Sequence, residues 1–514
     1  MSASVPRIGS AGDFATLRAA LTEAGFTESR VAERTGAESI YSFRSAADGR
    51  EAPAAPRDAL DLLIRLFMDA LAVSDADLDR WLPAGVPALL RQLDLTAPAG
   101  EGQTRPTVLL YPVEGVYVAS DLTNGPDGSR LPMADDIVYA AITSNTGKFL
   151  RHMTRQPSQR LLELCGGTGI AALVGARNAG HAWSLDITAR STLFARFNGA
   201  LNGFHNFTAL EGDLYQPVQG LTFDRIVAHP PYVPTVEQKM IYRDGGADGE
   251  QVTRRIIAGL PTYLEAGGRA HLTCVATDRT GAPLEQRVRE MLGERHDEFD
   301  VLVTTALEYE PLGYFTRTAL EGRMEWPELQ RTLEVQRDLR IERMVYSHIE
   351  VQRRAASRPT FTCRRVVGPR GGWQETDWLL GWETRSAAGD EELLRVLFTG
   401  APRVPAGVAV EVEMRQDEPS NWTPQRCVVR VESPFQVRIE CPVWTADLLA
   451  TCTGAVTVAQ LHERLGLAAG MADTEGAVRF LHFVRTLAGA GILEFDGLPL
   501  PPVREFAKQG HPVA

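Results

Sequence analysis

The chain has 514 residues, a formal net charge of −12 and a 44% share of hydrophobic residues. At about 100–200 residues per domain, this length predicts two to four folded units, and the composition excludes wholesale disorder. The acidic balance disfavours nonspecific binding of nucleic acid, which usually needs a basic surface. Six separated cysteines and the lack of a long apolar run predict a cytoplasmic protein with reduced thiols, without a membrane partner.

Helical apolar spacing dominates residues 1–105, and a β-branched run typical of strands follows at 107–119. Helices followed by a strand pair are typical of a winged-helix-like module. A module that only packs against the next domain and covers it is an alternative of equal weight. We assign residues 1–105 to this N-terminal module.

Between residue 159 and about residue 355, short apolar strands alternate with helices, which is the pattern of βαβ units with a parallel sheet. The predicted strands cover residues 161–164, 183–186, 208–211, 225–228, 269–276, 300–308 and 344–352.

The C-terminal third shows a different pattern. Residues 356–390 are rich in arginine and then in tryptophan, and they are interpreted as strands or a linker. Residues 391–514 form a separate α+β unit, in which Thr457 and Gln460 make a capping box at the start of a helix. A second helix over 475–487 and a returning strand over 492–495 again indicate a winged-helix-like arrangement.

A glycine-rich turn follows the first predicted strand and carries the sequence Glu163-Leu-Cys-Gly-Gly-Thr-Gly169. Such a turn lets a ligand approach the backbone and meet the N-terminus of the next helix. Because many turns between a strand and a helix carry glycines, a purely structural role stays open.

Two acidic residues end the next two predicted strands. Asp186 is placed to accept ribose hydroxyls, as in dinucleotide folds, although capping of the helix after Thr188 is a rival role. Asp213, in the sequence Glu211-Gly-Asp-Leu214, ends the third strand and is placed to accept an exocyclic amine of adenine.

The fourth predicted strand ends in the sequence His229-Pro230-Pro231-Tyr232. Prolines cannot continue a central strand, and they stiffen the turn that leaves it. This turn falls at the carboxyl end of the sheet, where open α/β folds bind ligands. A polar side chain and an aromatic face presented together suit a flat, nitrogen-bearing group.

The set of motifs from Glu163 to Tyr232 resembles class I S-adenosylmethionine-dependent methyltransferases, and more narrowly their small-domain, HemK-like branch, whose hallmark is Asn-Pro-Pro-Tyr. The resemblance covers about residues 110–355 and does not extend to residues 391–514. It implies an α/β fold with a doubly wound, seven-stranded, Rossmann-like methyltransferase core over residues 106–355. It also implies S-adenosyl-L-methionine as the cofactor and no metal.

The resemblance implies roles for individual residues. The turn His229-Pro230-Pro231-Tyr232 would hold a planar NH2 group with its nitrogen directed at the methyl group of the cofactor. The implied cofactor-binding residues are Glu163, Cys165, Gly166, Gly167, Gly169, Asp186, Ile187, Asp213, Leu214 and His229.

Two residues depart from the family pattern. Cys165 replaces the first glycine of the turn, and its small thiol is compatible with binding. His229 stands where the family has Asn, and a neutral imidazole has one acceptor and one donor in place of an amide. His229 can therefore accept one N–H, act as a general base or only shape the turn.

We predict from these residues an N-directed methyltransferase that acts on a protein or peptide side chain. An RNA base and a biosynthetic small molecule are the alternative substrates, and a non-catalytic scaffold is the remote alternative. The segment Arg331–Arg370 holds ten arginines and four acidic residues, which is typical of a salt-bridged face or of a groove for RNA or an acidic peptide. The accessory modules are expected to recognise the substrate or to mediate dimerisation.

Overall fold

The computed structural model describes residues 5–500, apart from 54, 126–128, 130, 132–133, 236–239, 323, 369–370, 419–420 and 468, together with residue 502. The chain divides into two compact units. The first comprises Met1–His296 and Tyr309–Ala355, and the second comprises Asp297–Glu308 and Ala356–Ala514. No helix within these described ranges is long and apolar enough to cross a membrane.

Helices and short strands precede the central sheet of the first unit. The helices are α1 (Ala11–Glu23), α2 (Glu28–Thr35), α3 (Ala59–Leu63, continued by a π-helical turn, Ile64–Met68), α4 (Asp75–Trp81) and α5 (Val86–Gln92), with 3-10 turns at Ile40–Ser42 and Ala46–Asp48. The strands are β1 (Val73–Ser74), β2 (Thr96–Gly100), β3 (Gln103–Pro106), β4 (Leu109–Val113) and β5 (Val116–Ser120). The side chains of Thr27, Asp58 and Ser74 accept backbone N–H bonds at the starts of α2, α3 and α4.

The small antiparallel sheet in this segment has the order β1-β3-β2, and β4 and β5 form a separate antiparallel pair. The predicted helical character of residues 1–105 is confirmed, and the winged-helix-like arrangement stays a prediction.

The α/β segment follows from residue 144 to residue 353. Its helices are α6 (Ser144–His152), α7 (Ile170–Gly175), α8 (Ala189–Asn202), α9 (Gln251–Tyr263), α10 (Leu284–Met291), α11 (Pro311–Leu320) and α12 (Trp326–Asp338), with 3-10 turns at Gln216–Val218 and Gly293–Glu298. Its strands are β6 (Ser158–Leu164), β7 (Ala179–Asp186), β8 (Phe207–Glu211), β9 (Phe223–Ala228), β10 (Leu264–Arg279), β11 (Phe299–Tyr309) and β12 (Ile341–Arg353).

The strands of the first unit lie in the order β8-β7-β6-β9-β10-β12. The first five pair in parallel, and β12 is antiparallel to β10. The chain steps outward from β6 to β8 and returns to β9, so the topology reverses between β6 and β9, where Leu164 pairs with Ala228. This order confirms the doubly wound core, and ligands bind in such folds at the point of reversal.

One continuous hydrophobic core joins the N-terminal helices to the sheet within the first unit. Phe14 of α1 packs edge-on against Phe197 of α8, with ring centroids 5.3 Å apart. The buried Asn198 amide pairs with the backbone N–H and carbonyl of Ala119 at 2.7 and 3.1 Å. These contacts hold β5 and the N-terminal helices against the helix that follows β7.

The second unit contains a mixed sheet and a cluster of helices. Its further strands are β13 (Thr362–Val367), β14 (Ala409–Glu418), β15 (Asn421–Val431) and β16 (Phe435–Cys441), and the sheet order within the unit is β14-β15-β16-β13-β11. Its helices are α13 (Trp373–Ala387), α14 (Glu391–Thr399), α15 (Thr445–Thr451), α16 (Val458–Leu465) and α17 (Thr474–Gly489).

Two features of the second unit differ from the sequence pattern. The tryptophan-rich stretch interpreted as strands or a linker forms α13, whose start is stabilised because Glu375 accepts the backbone N–H of Gly372 at 2.9 Å. The expected strand over 492–495 is reduced to a single bridge between Glu494 and Arg403. The capping box of Thr457 and Gln460 is confirmed at the start of α16.

Candidate active site

The turn between β6 and α7 combines close packing with open space. Cys165, Gly167 and Gly169 have φ values of +57°, +54° and +79°, which is the left-handed region that favours glycine. A Cβ atom at Gly166 would collide with the hydroxyl of Ser184, whereas a Cβ at Gly167 would meet no described atom within 4 Å. The backbone at Gly167 therefore faces space that a ligand can occupy.

Glu163 fixes the start of α7. Its buried carboxyl accepts the backbone N–H groups of Ala171 and Ala172 at 2.9 and 3.1 Å. Burial raises the pKa of Glu163 to about 7, against the lowering effect of its hydrogen bonds. The structure thus gives this residue a role in positioning the helix, and its contact with a cofactor remains a prediction.

Asp186 connects the end of β7 to the glycine turn. Its Oδ2 accepts the backbone N–H of Gly167 at 2.9 Å, and its Oδ1 accepts the N–H and hydroxyl of Thr188 at 3.0 and 3.1 Å. Asp186 therefore orients Thr188, and it is the Thr188 side chain that caps α8 by accepting the N–H of Ser191. A carboxylate has about four lone-pair sites, so the three bonds accepted by Asp186 leave one site, on Oδ2, for a ribose hydroxyl. The next residue, Ile187, is 54% exposed and lines the same cavity.

Asp213 and Leu214 follow β8 on the other side of β7. The Asp213 carboxylate accepts a hydrogen bond from Arg255 of α9 at 2.7 Å, and the two side chains are 41% and 51% exposed. Leu214 has a φ of +50°, which turns the chain sharply after the strand. This exposed pair places the carboxylate at the wall of the cavity.

His229 directly follows β9, and its ring stacks on Phe149 of α6 with centroids 5.2 Å apart. Burial, helped by the nearby His271, lowers the pKa of His229 to about 4, so the imidazole is neutral at pH 7. Its Nε2 atom is buried and has no hydrogen-bond partner among the described residues. A general base is usually oriented by an acidic partner, so this environment does not favour that role.

Tyr232 closes the His-Pro-Pro-Tyr turn. Its hydroxyl accepts a hydrogen bond from the Nδ2 of Asn145 at 3.0 Å, and its ring lies 5.7 Å from the His229 ring. Burial raises the pKa of Tyr232, which keeps the phenol protonated. The aromatic face and the imidazole therefore lie side by side, as expected for a pocket that holds a flat group.

A single cavity of about 770 Å³ brings these elements together. This volume suits a small-molecule site. Gly169 is absent from the wall of this cavity: it is the N-terminal capping residue of α7, and its Cβ position faces Ala195 and Phe207. The predicted site residues on the wall are Glu163, Cys165, Gly166, Gly167, Asp186, Ile187, Asp213, Leu214, His229, Pro230, Pro231 and Tyr232.

Sequence reasoning missed several residues on the wall. Asn145 and Phe149 come from α6, and no motif marks them. Tyr139 and Tyr242 stack in parallel with ring centroids 5.5 Å apart. The charged residues on the wall are mostly acidic, and they are Asp136, Glu163, Asp186, Asp213, Arg243, Asp244 and Arg255.

The strand order, the glycine turn, the acid after β7 and the proline-stiffened turn after β9 all meet where the sheet topology reverses. Together they define a class I S-adenosylmethionine-dependent methyltransferase domain. Residues 138–302 match the family model of the methyltransferase small domain. This match and the curated relatives support a class I methyltransferase of the HemK-like branch for this segment.

Three curated relatives match parts of this segment. A candidate protein N5-glutamine methyltransferase of Methanocaldococcus jannaschii is 34% identical over 126 residues, which cover 23% of this chain and 63% of that protein. The release factor glutamine methyltransferase of Thermodesulfovibrio yellowstonii is 33% identical, covering 21% of this chain and 44% of its own length. The ribosomal protein uL3 glutamine methyltransferase of Bordetella pertussis is 32% identical, covering 22% of this chain and 43% of its own length.

The chain thus spans less than two thirds of each of these relatives. Among solved structures, the ribosomal protein L11 methylase of Lactobacillus delbrueckii subsp. bulgaricus is 17% identical, with 41% of this chain and 77% of that chain covered and a TM-score of 0.24.

Proposed function

We propose that this protein transfers a methyl group from S-adenosylmethionine to the side-chain nitrogen of a glutamine in a protein substrate. One observation carries the proposal: the glycine turn with Asp186 and the turn from His229 to Tyr232 line the same cavity. A donor site and an acceptor site are thereby adjacent. The relatives that match this segment are named as glutamine methyltransferases of proteins.

The residues of the glycine side fit the cofactor. The backbone at Gly167 is open, Asp186 retains one lone pair on Oδ2 for a hydroxyl group, and Asp213 offers a further carboxylate. The cofactor supplies a methyl group that its sulfonium makes electrophilic. The mostly acidic wall favours such a cation by simple electrostatics.

On the acceptor side, this chain contributes mainly positioning. Pro230 and Pro231 restrict the backbone, and Tyr232 offers its face to a planar amide. His229 is neutral at pH 7, and its low pKa makes it a weak general base. We therefore assign His229 the acceptance of one N–H bond. Holding two reactants in line supplies about 7–11 kcal/mol of a barrier. The amide nitrogen loses one proton as it gains the methyl group, and because His229 is a weak base this proton would pass to water in the cavity.

A protein substrate is favoured over RNA by the charges. Phosphates would meet an acidic cavity wall. In the basic segment, Arg358 pairs with Asp300, Arg364 with Glu308 at 3.0 Å, and Arg365 with Glu383 at 3.0 Å. These arginines are committed to carboxylates of the second unit, which supports the salt-bridged interpretation of the segment. We assign the accessory regions to substrate recognition or dimerisation.

Isotope transfer tests the proposal. The full chain is incubated with cofactor carrying a labelled methyl group and with a cell extract, which is then separated into protein, RNA and small-molecule fractions. We expect label in protein, on glutamine side chains identified by peptide mass spectrometry. Label confined to RNA or to small molecules contradicts the substrate class, and no transfer with intact cofactor binding supports a scaffold instead. Asp186→Asn serves as the cofactor-deficient control.

A further inference from the structure

Asn145 lies in the first turn of α6, 87 residues before Tyr232 and outside every sequence motif. The helix start is fixed because the hydroxyl of Thr143 accepts the backbone N–H of Thr146 at 3.3 Å. From this position the Nδ2 of Asn145 donates to the Tyr232 hydroxyl at 3.0 Å. The residue also lines the cavity beside the His-Pro-Pro-Tyr turn.

The side-chain oxygen of Asn145 is available to accept a hydrogen bond. In the part of the chain that the structure describes, no hydrogen-bond donor reaches Asn145 Oδ1. An amide oxygen accepts two hydrogen bonds. Asn145 is half-buried at the cavity wall, so its Oδ1 is open to water or to the donor of a ligand in the cavity. The Nδ2 of Asn145 is therefore bonded to Tyr232, and its Oδ1 is available to a ligand.

The side chains of the turn offer few acceptors for an amide. A primary amide presents two N–H donors and needs two acceptors to be held in one plane. A neutral imidazole offers a single acceptor, and the Nε2 of His229 is buried from solvent. The side chain of His229 can therefore accept at most one of the two N–H groups of a substrate amide.

We propose that Asn145 is a substrate-binding residue that supplies the missing amide oxygen: Oδ1 accepts an N–H of the substrate amide while Nδ2 holds Tyr232 in place. The inference rests on the proposed function and adds a residue to it. The ligand class is a primary carboxamide, such as a glutamine side chain. The family motif has an Asn amide at its first position, where this chain has His229. Asn145 of α6 thereby provides that amide contact instead.

Variants of Asn145 test the assignment, with labelled cofactor at saturation and the protein fraction of the cell extract as the probe. Asn145→Ala should lower the initial rate of label transfer about 2- to 10-fold, which is the effect of losing one hydrogen bond between neutral groups. Asn145→Asp keeps the acceptor and should retain most of the rate. Ser144→Ala, in the same helical turn and away from the cavity, is the matched control.

A rescue experiment separates substrate contact from packing. His229→Asn restores a carboxamide in the turn, so the double variant with Asn145→Ala should regain activity relative to Asn145→Ala alone. The affinity for the cofactor, measured by calorimetry, should be unchanged in the single variants of Asn145. The half-saturating amount of extract protein should rise in Asn145→Ala.

Several outcomes overturn the assignment. A wild-type rate for Asn145→Ala would show that Asn145 does not bind the substrate, and it would leave the proposed function intact. Equal losses for Asn145→Asp and Asn145→Ala show that the side chain donates rather than accepts. Failure of the double variant to regain activity shows that the two positions do not share one task. Absence of transfer by the wild-type chain overturns the proposed function and the inference together.

Discussion

The carboxylate of Asp186 accepts the backbone N–H of Gly167 across 2.9 Å, and so joins the end of β7 to the glycine turn after β6. Asp186 ends β7, and Gly167 lies in the turn that follows the neighbouring parallel strand β6, close to the point where the sheet topology reverses. One acidic side chain therefore organises the turn and faces the cavity at the same time. A substitution at either residue tests both tasks.

Asp186→Asn should lower the affinity for S-adenosylmethionine at least about tenfold, because hydrogen bonds to a charged group contribute about 1.5–3 kcal/mol. Asparagine keeps one oxygen for the N–H of Gly167, so the turn should persist. Isothermal calorimetry measures the affinity, and Asp79→Asn on α4 is an exposed control. Unchanged affinity with a lower melting temperature would leave Asp186 only the structural role of orienting Gly167 and Thr188.

Gly167→Ala should abolish most cofactor binding, because the new methyl group occupies the open space beside the turn. The φ of +54° adds a backbone cost of about 1–2 kcal/mol. Gly36→Ala is a matched control, since Gly36 has a φ of +69°, no described atom near its Cβ position and no place on the cavity wall. Both variants should melt at lower temperatures, and only the first should lose binding in a calorimetric titration.

Glu163→Gln should remove a pH dependence of stability. The folded carboxyl has a pKa of about 7 and the ordinary value is 4.5, so the native state binds the extra proton between these values. The free energy of unfolding therefore falls as the pH rises from about 5 to 8, by at most about 3 kcal/mol. Glutamine mimics the neutral form and should flatten this slope.

Melting temperatures at pH 5, 6, 7 and 8 check the Glu163 prediction. The exposed Glu101→Gln variant should keep the wild-type slope. If wild type and Glu163→Gln have parallel profiles, the carboxylate is charged throughout this range and the N–H groups at the start of α7 outweigh its burial.

His229→Asn distinguishes the roles left open for the imidazole. With a folded pKa of about 4, His229 is neutral over the working range, and the acid limb of the rate profile in the wild type should lie near pH 4 rather than 6.5. If the ring only accepts an N–H, the asparagine variant retains activity and loses this limb. A collapse of the rate at every pH would instead identify a general base.

His229→Asn should also remove a pH dependence of stability. This dependence runs in the opposite direction from that of Glu163. The unfolded state of the wild type binds the histidine proton below about pH 6.5, while the folded state resists it down to about pH 4. The free energy of unfolding should thus fall as the pH drops through this window, and His229→Asn should remove that contribution. Acid titrations of the melting temperature measure it.

Local patterns in the sequence determined much of this architecture. The runs around Leu161–Leu164 and Arg225–Ala228 are apolar enough to be buried on both faces, which marks parallel central strands. The glycines of the turn and the prolines after His229 have backbone restrictions of their own. Such features act over a few residues, so the order of strands and loops could be predicted from the sequence together with the family resemblance.

Only the tertiary structure decided how these pieces act on one another. The contact between Asn145 and Tyr232, the ring of Phe149 beneath His229 and the raised pKa of Glu163 all depend on residues that packing brings together. The helix over 373–387 formed where strands or a linker were expected, since Glu375 caps its start and its apolar side is buried. Desolvation and long-range hydrogen bonds have no local sequence pattern, whereas strand burial and turn geometry do.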